Sequence, residues 1–149
     1  MATPKHNERA AQTGPAAQRG AVLLEFALVS TIFMALVYGA ITYGVMFWVK
    51  ATVTHAAGEG ARAAIGAPDA LSTAKTTAEG ILDRSLPDGA APYAKPVMPT
   101  TAPCPGNPSD SCITVTVSYP YAAHPIIPRL PFLPGLPAQI KASSIVGLS

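Results

Sequence analysis

An apolar run from Ala21 to Val49, AVLLEFALVSTIFMALVYGAITYGVMFWV, limits what this chain can become more than any other feature: it holds 29 residues and one ionisable side chain, Glu25. As a helix it would rise about 44 Å at 1.5 Å per residue, more than the roughly 30 Å hydrocarbon core of a bilayer, so it can cross once and project at one end. The apolar part of a cleaved secretory signal is about 7 to 15 residues and ends in a small-residue cleavage site, so the run is too long for one. Charge content agrees: Asp, Glu, Lys and Arg make up 12% of the 149 residues, about half the share usual in soluble domains. What lies outside the run suffices for one small domain.

The flanking cations orient the run. Lys5, Arg9 and Arg19 precede it, whereas Lys50, His55 and Arg62 follow, the last offset by Glu59. Short flanks rich in Lys and Arg stay in the cytoplasm, so the N-terminus is expected there and the body on the extracytoplasmic side. Cys104 and Cys112 then fall in a compartment that permits disulfides. Seven residues separate them, among them Pro105, Gly106, Asn107 and Pro108, which can form the turn that brings two sulfurs together. A disulfide is expected ahead of free thiols or a metal pair, since two cysteines without neighbouring histidines make a poor zinc set. The ten Lys and Arg are scattered, with a net charge of +2, and nothing resembles the basic stripe that a nucleic acid would need.

Residues 1–20 are polar, include Pro4, Gly14 and Pro15, and lack helical apolar periodicity; they read as a disordered leader. The junction is abrupt: Gln18, Arg19, Gly20, then Ala21, Val22, Leu23, Leu24, Glu25 and Phe26. If the span begins near Leu28, Glu25 is an interfacial carboxylate of no special role. If the chain is cut after Gly20, Ala21 acquires a charged amine, and Glu25 lies four residues on, along the same helical face. A carboxylate that is costly alone in lipid and satisfied by an amine, its own or a neighbour's, pins the register between packed helices.

The stretch RGAVLLEFALV resembles the processing site of type IV pilin-like proteins, and the longer run through MFWVKATVTHAAGEGARAAIGA resembles the TadE family of minor pseudopilins of tight-adherence (Flp) pili. The resemblance rests on the Glu-Phe pair, Glu25 and Phe26, that opens the apolar segment, and on the block Gly60, Ala61, Arg62, Ala63 and Ala64. It covers Arg19 to Gly66. It implies an inner-membrane protein, single-pass, that is cut by a prepilin peptidase between Gly20 and Ala21. Glu25 would guide assembly with other pilins and pseudopilins of the Tad apparatus. Phe26 departs from the Glu-Tyr pair of the small major Flp pilins, and together with the long distal region it points to a minor subunit. The competing reading is an unprocessed signal-anchored envelope scaffold or binding protein.

Beyond the span, Val53, Ala57, Ala61 and Ala64 share one helical face, so residues 50–66 continue the helix until Pro68 ends it. Asp69 can cap a second helix to about Leu86 with an apolar stripe of Leu71, Ala74, Ala78, Ile81 and Leu82. Ala90 to Ser111 reads as a Pro-rich loop. Cys112 to Tyr119 alternates as a half-buried strand, with Ile113, Val115, Val117 and Tyr119 inward, and a second strand is expected from Ala138 to Leu148. The expectation is an α+β chain: leader 1–20, membrane helix 21–49, extension 50–66, and a small domain over 67–149 with an antiparallel sheet. The apolar segment PIIPRLPFLPGLP is expected to cover the core rather than to dock on a partner. His6, His55 and His124 have no nucleophile, base or metal-ligand spacing around them, and the chain carries no P-loop, dinucleotide fingerprint or CxxC. No enzyme, cofactor or metal is expected, and a membrane-tethered enzyme is the third reading.

Overall fold

The computed structural model describes residues 15–128 and 137–148. Its elements in chain order are α1 (Pro15–Ala63), α2 (Ala70–Ser85), a 3-10 turn (Ala91–Tyr93), β1 (Lys95–Cys104), β2 (Asn107–Tyr119) and β3 (Ile140–Leu148). The chain divides into two compact units, the first ending at Ala40 and the second running from Ile41. Two helices and a small antiparallel sheet make it α+β.

The helix extends further back than the sequence suggests. It begins at Pro15, so the last residues of the stretch read as a disordered leader are helical. At the other end α1 stops at Ala63, short of the expected 66, because Gly66 takes a left-handed φ of +71° that closes the turn before Pro68.

Within the second unit, one face of α1 forms a wall of the core. Val49, Val53, Ala56, Ala57, Ala61 and Ala64 are all at most 1% exposed, and Met46 packs against the same cluster. These spacings of three and four residues are those of a single helical stripe. The face begins inside the apolar run, at Thr42, which is 2% exposed. Upstream of that face, residues 21–40 are mostly exposed and rise about 30 Å. The last two turns of the apolar run thus also serve the domain.

Asp69 caps α2, its side chain accepting a hydrogen bond from the Ser72 N–H at 3.2 Å. Ala74, Ala78, Ile81 and Leu82 are buried as expected of the stripe, but Leu71, in the first turn, stays 37% exposed. The Ser72 hydrogen bonds hold the exposed Asp69 carboxyl below its ordinary 3.8. A depressed folded pKa stabilises above the unfolded value and is lost as pH falls through the folded one. The expected result is a destabilisation of α2 in acid below about pH 4 that vanishes in Asp69→Asn, which keeps the cap acceptor without the charge; helicity followed by circular dichroism against pH tests it.

The sheet has the order β1-β2-β3, all antiparallel. On β2, Ile113, Val115, Val117 and Tyr119 are at most 1% exposed, and on β3 the partly buried Ala142, Ser144, Val146 and Leu148 alternate with exposed residues. The Pro-rich loop read over Ala90 to Ser111 is instead a 3-10 turn, β1 and the beginning of β2. β1 carries Pro96, Pro99 and Pro103, which have no N–H to give; it is an edge strand, where an outward N–H is dispensable, and its register shifts between Val97 and Thr100, around Pro99. Part of the apolar segment between Pro125 and Pro137 lies outside the described residues; of the remainder, Ile126 packs against the core.

Cys104, at the end of β1, is bonded to Cys112 on β2, with Cα atoms 4.9 Å apart. The bond closes the hairpin of β1 and β2. Loop-closure entropy puts its contribution at about 2–3 kcal/mol. A Cys104→Ser, Cys112→Ser double variant is expected to lose about that much in denaturant unfolding of the full chain in detergent, with β1, the proline-bearing edge, losing amide-exchange protection first.

Candidate processing and assembly site

In the first unit, Gly20 and Ala21 sit within α1 with helical backbone, and every residue from Ala21 to Val29 is exposed. A Cβ added at Gly20 would meet nothing within 4 Å. Packing among the described residues therefore does not require the glycine, and its substitution can report on recognition by something else. Glu25 lies one turn beyond Ala21 on the same face of the helix. Among the described residues it has no hydrogen-bond or ion-pair partner. Phe26 beside it is 71% exposed.

The surroundings of Glu25 are apolar in every direction. Leu24, Phe26, Leu28, Ile32, Phe33, Met34 and Leu36 all expose more than half of their surface, and at 100° per residue they cover the whole circumference. A helix apolar all round belongs in lipid or inside a bundle. Polar side chains inside this stretch are satisfied locally: the Thr31 hydroxyl donates to the Ala27 carbonyl at 2.7 Å. Gly39 and Gly44 also face open space.

The second unit explains the Gly-Ala-Arg-Ala-Ala block. Gly60 is where α1 meets α2 and the sheet: a Cβ there would lie 2.8 Å from the Ala74 carbonyl oxygen, 3.1 Å from the Ala78 Cβ and 3.5 Å from a Val115 methyl. With Ala57, Ala61, Ala64, Ala74 and Ala78 all buried around it, this is a seam of small residues that lets two helix backbones approach. Arg62 points outward and pairs at 3.7 Å with Glu59, an exposed pair that contributes little. In the sequence Gly60 stands out only as the first residue of the block that carries the family resemblance. A glycine flanked by alanines at helical spacing was the available signal.

His124 is not simply solvated. Its ring stacks on Tyr93, centroids 3.4 Å apart and planes 10° from parallel, and its carbonyl accepts the Tyr119 hydroxyl at 2.6 Å. Burial pushes the Tyr119 hydroxyl above its ordinary pKa, so it stays a donor. These residues, with Pro87, Ala90 and Ile126, border an open groove of about 460 Å³. The groove brings together no nucleophile and base. Among the described residues no three potential metal ligands cluster.

One helix, from Gly20 to Ala63 among the residues considered, is long and apolar enough to cross a membrane, which fits a single-pass anchor. Residues 20–62 match the family model described as TadE-like protein. The resemblance to the TadE-like family thus holds over the apolar helix and its extension, and it links the chain to Tad pilus-associated proteins. No curated protein matches the chain, and no solved structure does.

Proposed function

On the strength of that TadE-like helix, we propose that the chain is a minor pseudopilin for assembly of a Tad (Flp) pilus. It is anchored in the bacterial inner membrane with its N-terminus cytoplasmic, and a prepilin peptidase shortens it after Gly20. The observation that carries the reading is Glu25: a carboxylate without a partner among the described residues, on a helix face surrounded by exposed apolar side chains, one turn from Gly20 and Ala21.

Cleavage would change the chemistry of the helix end. Ala21 would gain an amine, the N–H groups of the new first turn would lose their carbonyl partners, and the positive end of the helix dipole would lie there. Each of these favours a nearby carboxylate. Glu25 of the same chain or of an adjacent subunit supplies it, and in an apolar setting the pairing sets how far one helix slides along another. The function needs no reaction at this site, only a charge that is expensive until a second subunit arrives. Partners of this kind are the other pilins and pseudopilins of the apparatus.

The test is the intact mass and N-terminal sequence of the protein taken from membranes of its native cells. An N-terminus at Ala21 is expected. One at Met1 or Ala2 would overturn the processing step and leave a signal-anchored scaffold in its place.

A further inference from the structure

The charged residues of the second unit are placed unevenly with respect to the end of the apolar run. Lys50 follows Val49 directly, and its Nζ donates to the carbonyl of Lys141 at 2.7 Å, across 91 positions of chain. This hydrogen bond places the N-terminal end of β3 at the level where the apolar run stops. Lys50 and Lys141 are both exposed, and neither belongs to an ion pair among the described residues, where Arg62 and Lys75 pair with Glu59 and Glu79. The Lys50 ammonium and the exposed Lys141 thus lie at one end of the sheet, neither paired with a carboxylate among the described residues.

The sheet register extends the row. Lys95 on β1 and Lys141 on β3 both stand opposite Ser118 of β2, so the three residues share a face. Lys95 also borders a groove with Glu79 and Asp83, which offsets its charge and leaves Lys50 and Lys141 as the stronger pair. Beside them the helix is not polar. Phe47 is 65% and Trp48 43% exposed, while Val49 between Trp48 and Lys50 is fully buried in the core. At this level α1 therefore turns one side to the protein and the other, aromatic, side outward. Aromatic rings next to lysines are the composition of a lipid–water interface.

We propose that Lys50 and Lys141 form a docking surface for the anionic phosphate headgroups of the membrane leaflet at the C-terminal end of the span, seating this end of the sheet on the lipid. The proposal rests on the reading that α1 crosses the membrane. The bond to the Lys141 carbonyl uses one of the three donors of the Lys50 ammonium and leaves the others for phosphate oxygens. Continuity with the span fixes the occupant: a chain anchored through the apolar run that ends at Val49 brings the adjoining Lys50, and Lys141 beside it, to lipid headgroups before any soluble anion.

The experiment uses the full chain in nanodiscs of phosphatidylcholine alone and of a phosphatidylcholine–phosphatidylglycerol mixture. Lysine acylation is read by mass spectrometry, with Lys75 on α2 as internal reference and Trp48, the single tryptophan, reporting quenching by brominated lipid. The expected result is that acylation of Lys141 relative to Lys75 slows roughly fivefold in the anionic discs, the effect of about one surface lysine. That protection should vanish at high salt. Lys141→Gln keeps the backbone acceptor of Lys50 and should relieve the protection of Lys50 as well. If Trp48 is quenched but the Lys141 to Lys75 ratio is the same in both lipids, the docking surface is overturned while the span stands. If Trp48 is not quenched, the span reading fails and the docking surface fails with it.

Discussion

Gly20→Phe will leave the protein at full length in membranes where the unaltered chain begins at Ala21, and Glu25→Ala will be shortened normally yet fail to join its partners. The two variants separate because the two positions act at different steps. Among the described residues Gly20 has open space around it, so under the proposed processing a phenylalanine there acts through the peptidase rather than through their packing. Glu25 lies beyond the proposed cut, and removing it would leave the new Ala21 amine uncompensated in an apolar setting. Breaking such a pair costs about 3 kcal/mol, roughly a hundred-fold in an association constant. Co-purification with the other pilus subunits, measured alongside the N-terminal sequence, reads both steps at once. Normal co-assembly of Glu25→Ala would remove the register role of Glu25 without touching the processing step.

Gly60→Ala should cost about 1–3 kcal/mol, whereas the same change two residues earlier, Gly58→Ala, should stabilise by up to about 1 kcal/mol. Both glycines lie in α1, and intrinsic helix propensity favours alanine at each. They differ in what a methyl group would strike. At Gly58 nothing lies within 4 Å; at Gly60 the Ala74 carbonyl oxygen is at 2.8 Å, and it belongs to the backbone of α2, which cannot rotate aside as a side chain would. Either α1 and α2 separate, opening gaps among the surrounding alanines, or the α2 hydrogen bonds bend. Thermal or denaturant unfolding of the two variants in detergent decides the matter, and equal shifts in both would refute the close approach. A bulkier residue, as in Gly60→Val, should be worse again.

The elements that were legible in the sequence are those fixed by local pattern. The long apolar run announced a long helix, one long and apolar enough to cross a membrane, Asp69 before an apolar stripe announced α2, and Ile113, Val115, Val117 and Tyr119 could alternate only as a strand with one face covered. β1 was not legible, because Pro96, Pro99 and Pro103 erase both periodicity and hydrogen-bonding capacity over ten residues. That segment is a strand through its neighbours: β2 supplies the ladder and Cys112 the tie to Cys104. The double use of the end of the apolar run was hidden for a related reason. Thr42, Met46 and Val49 are as apolar on average as lipid-facing residues, and only tertiary packing reveals that one side of those turns is already spoken for. The stack of Tyr93 on His124, and the contact of Lys50 with Lys141, join positions too far apart for any window of sequence to link. Gly20, Ala21 and Glu25 were readable as a unit since their meaning depends on order along one helix.

The two borders of the sheet are chemically unlike, and this limits how copies of the domain can meet. The outer border on β1 is interrupted three times by proline, while that on β3, from Ile140 to Leu148, contains none. Adding β1 of one copy to β3 of the next would be a head-to-tail union that could repeat indefinitely into a ribbon; the missing donors on β1 deny it a complete ladder. Among the described strands the proline-free union is β3 with β3, which is self-complementary and ends at two copies, so pairing of these strands favours a closed pair over open-ended growth.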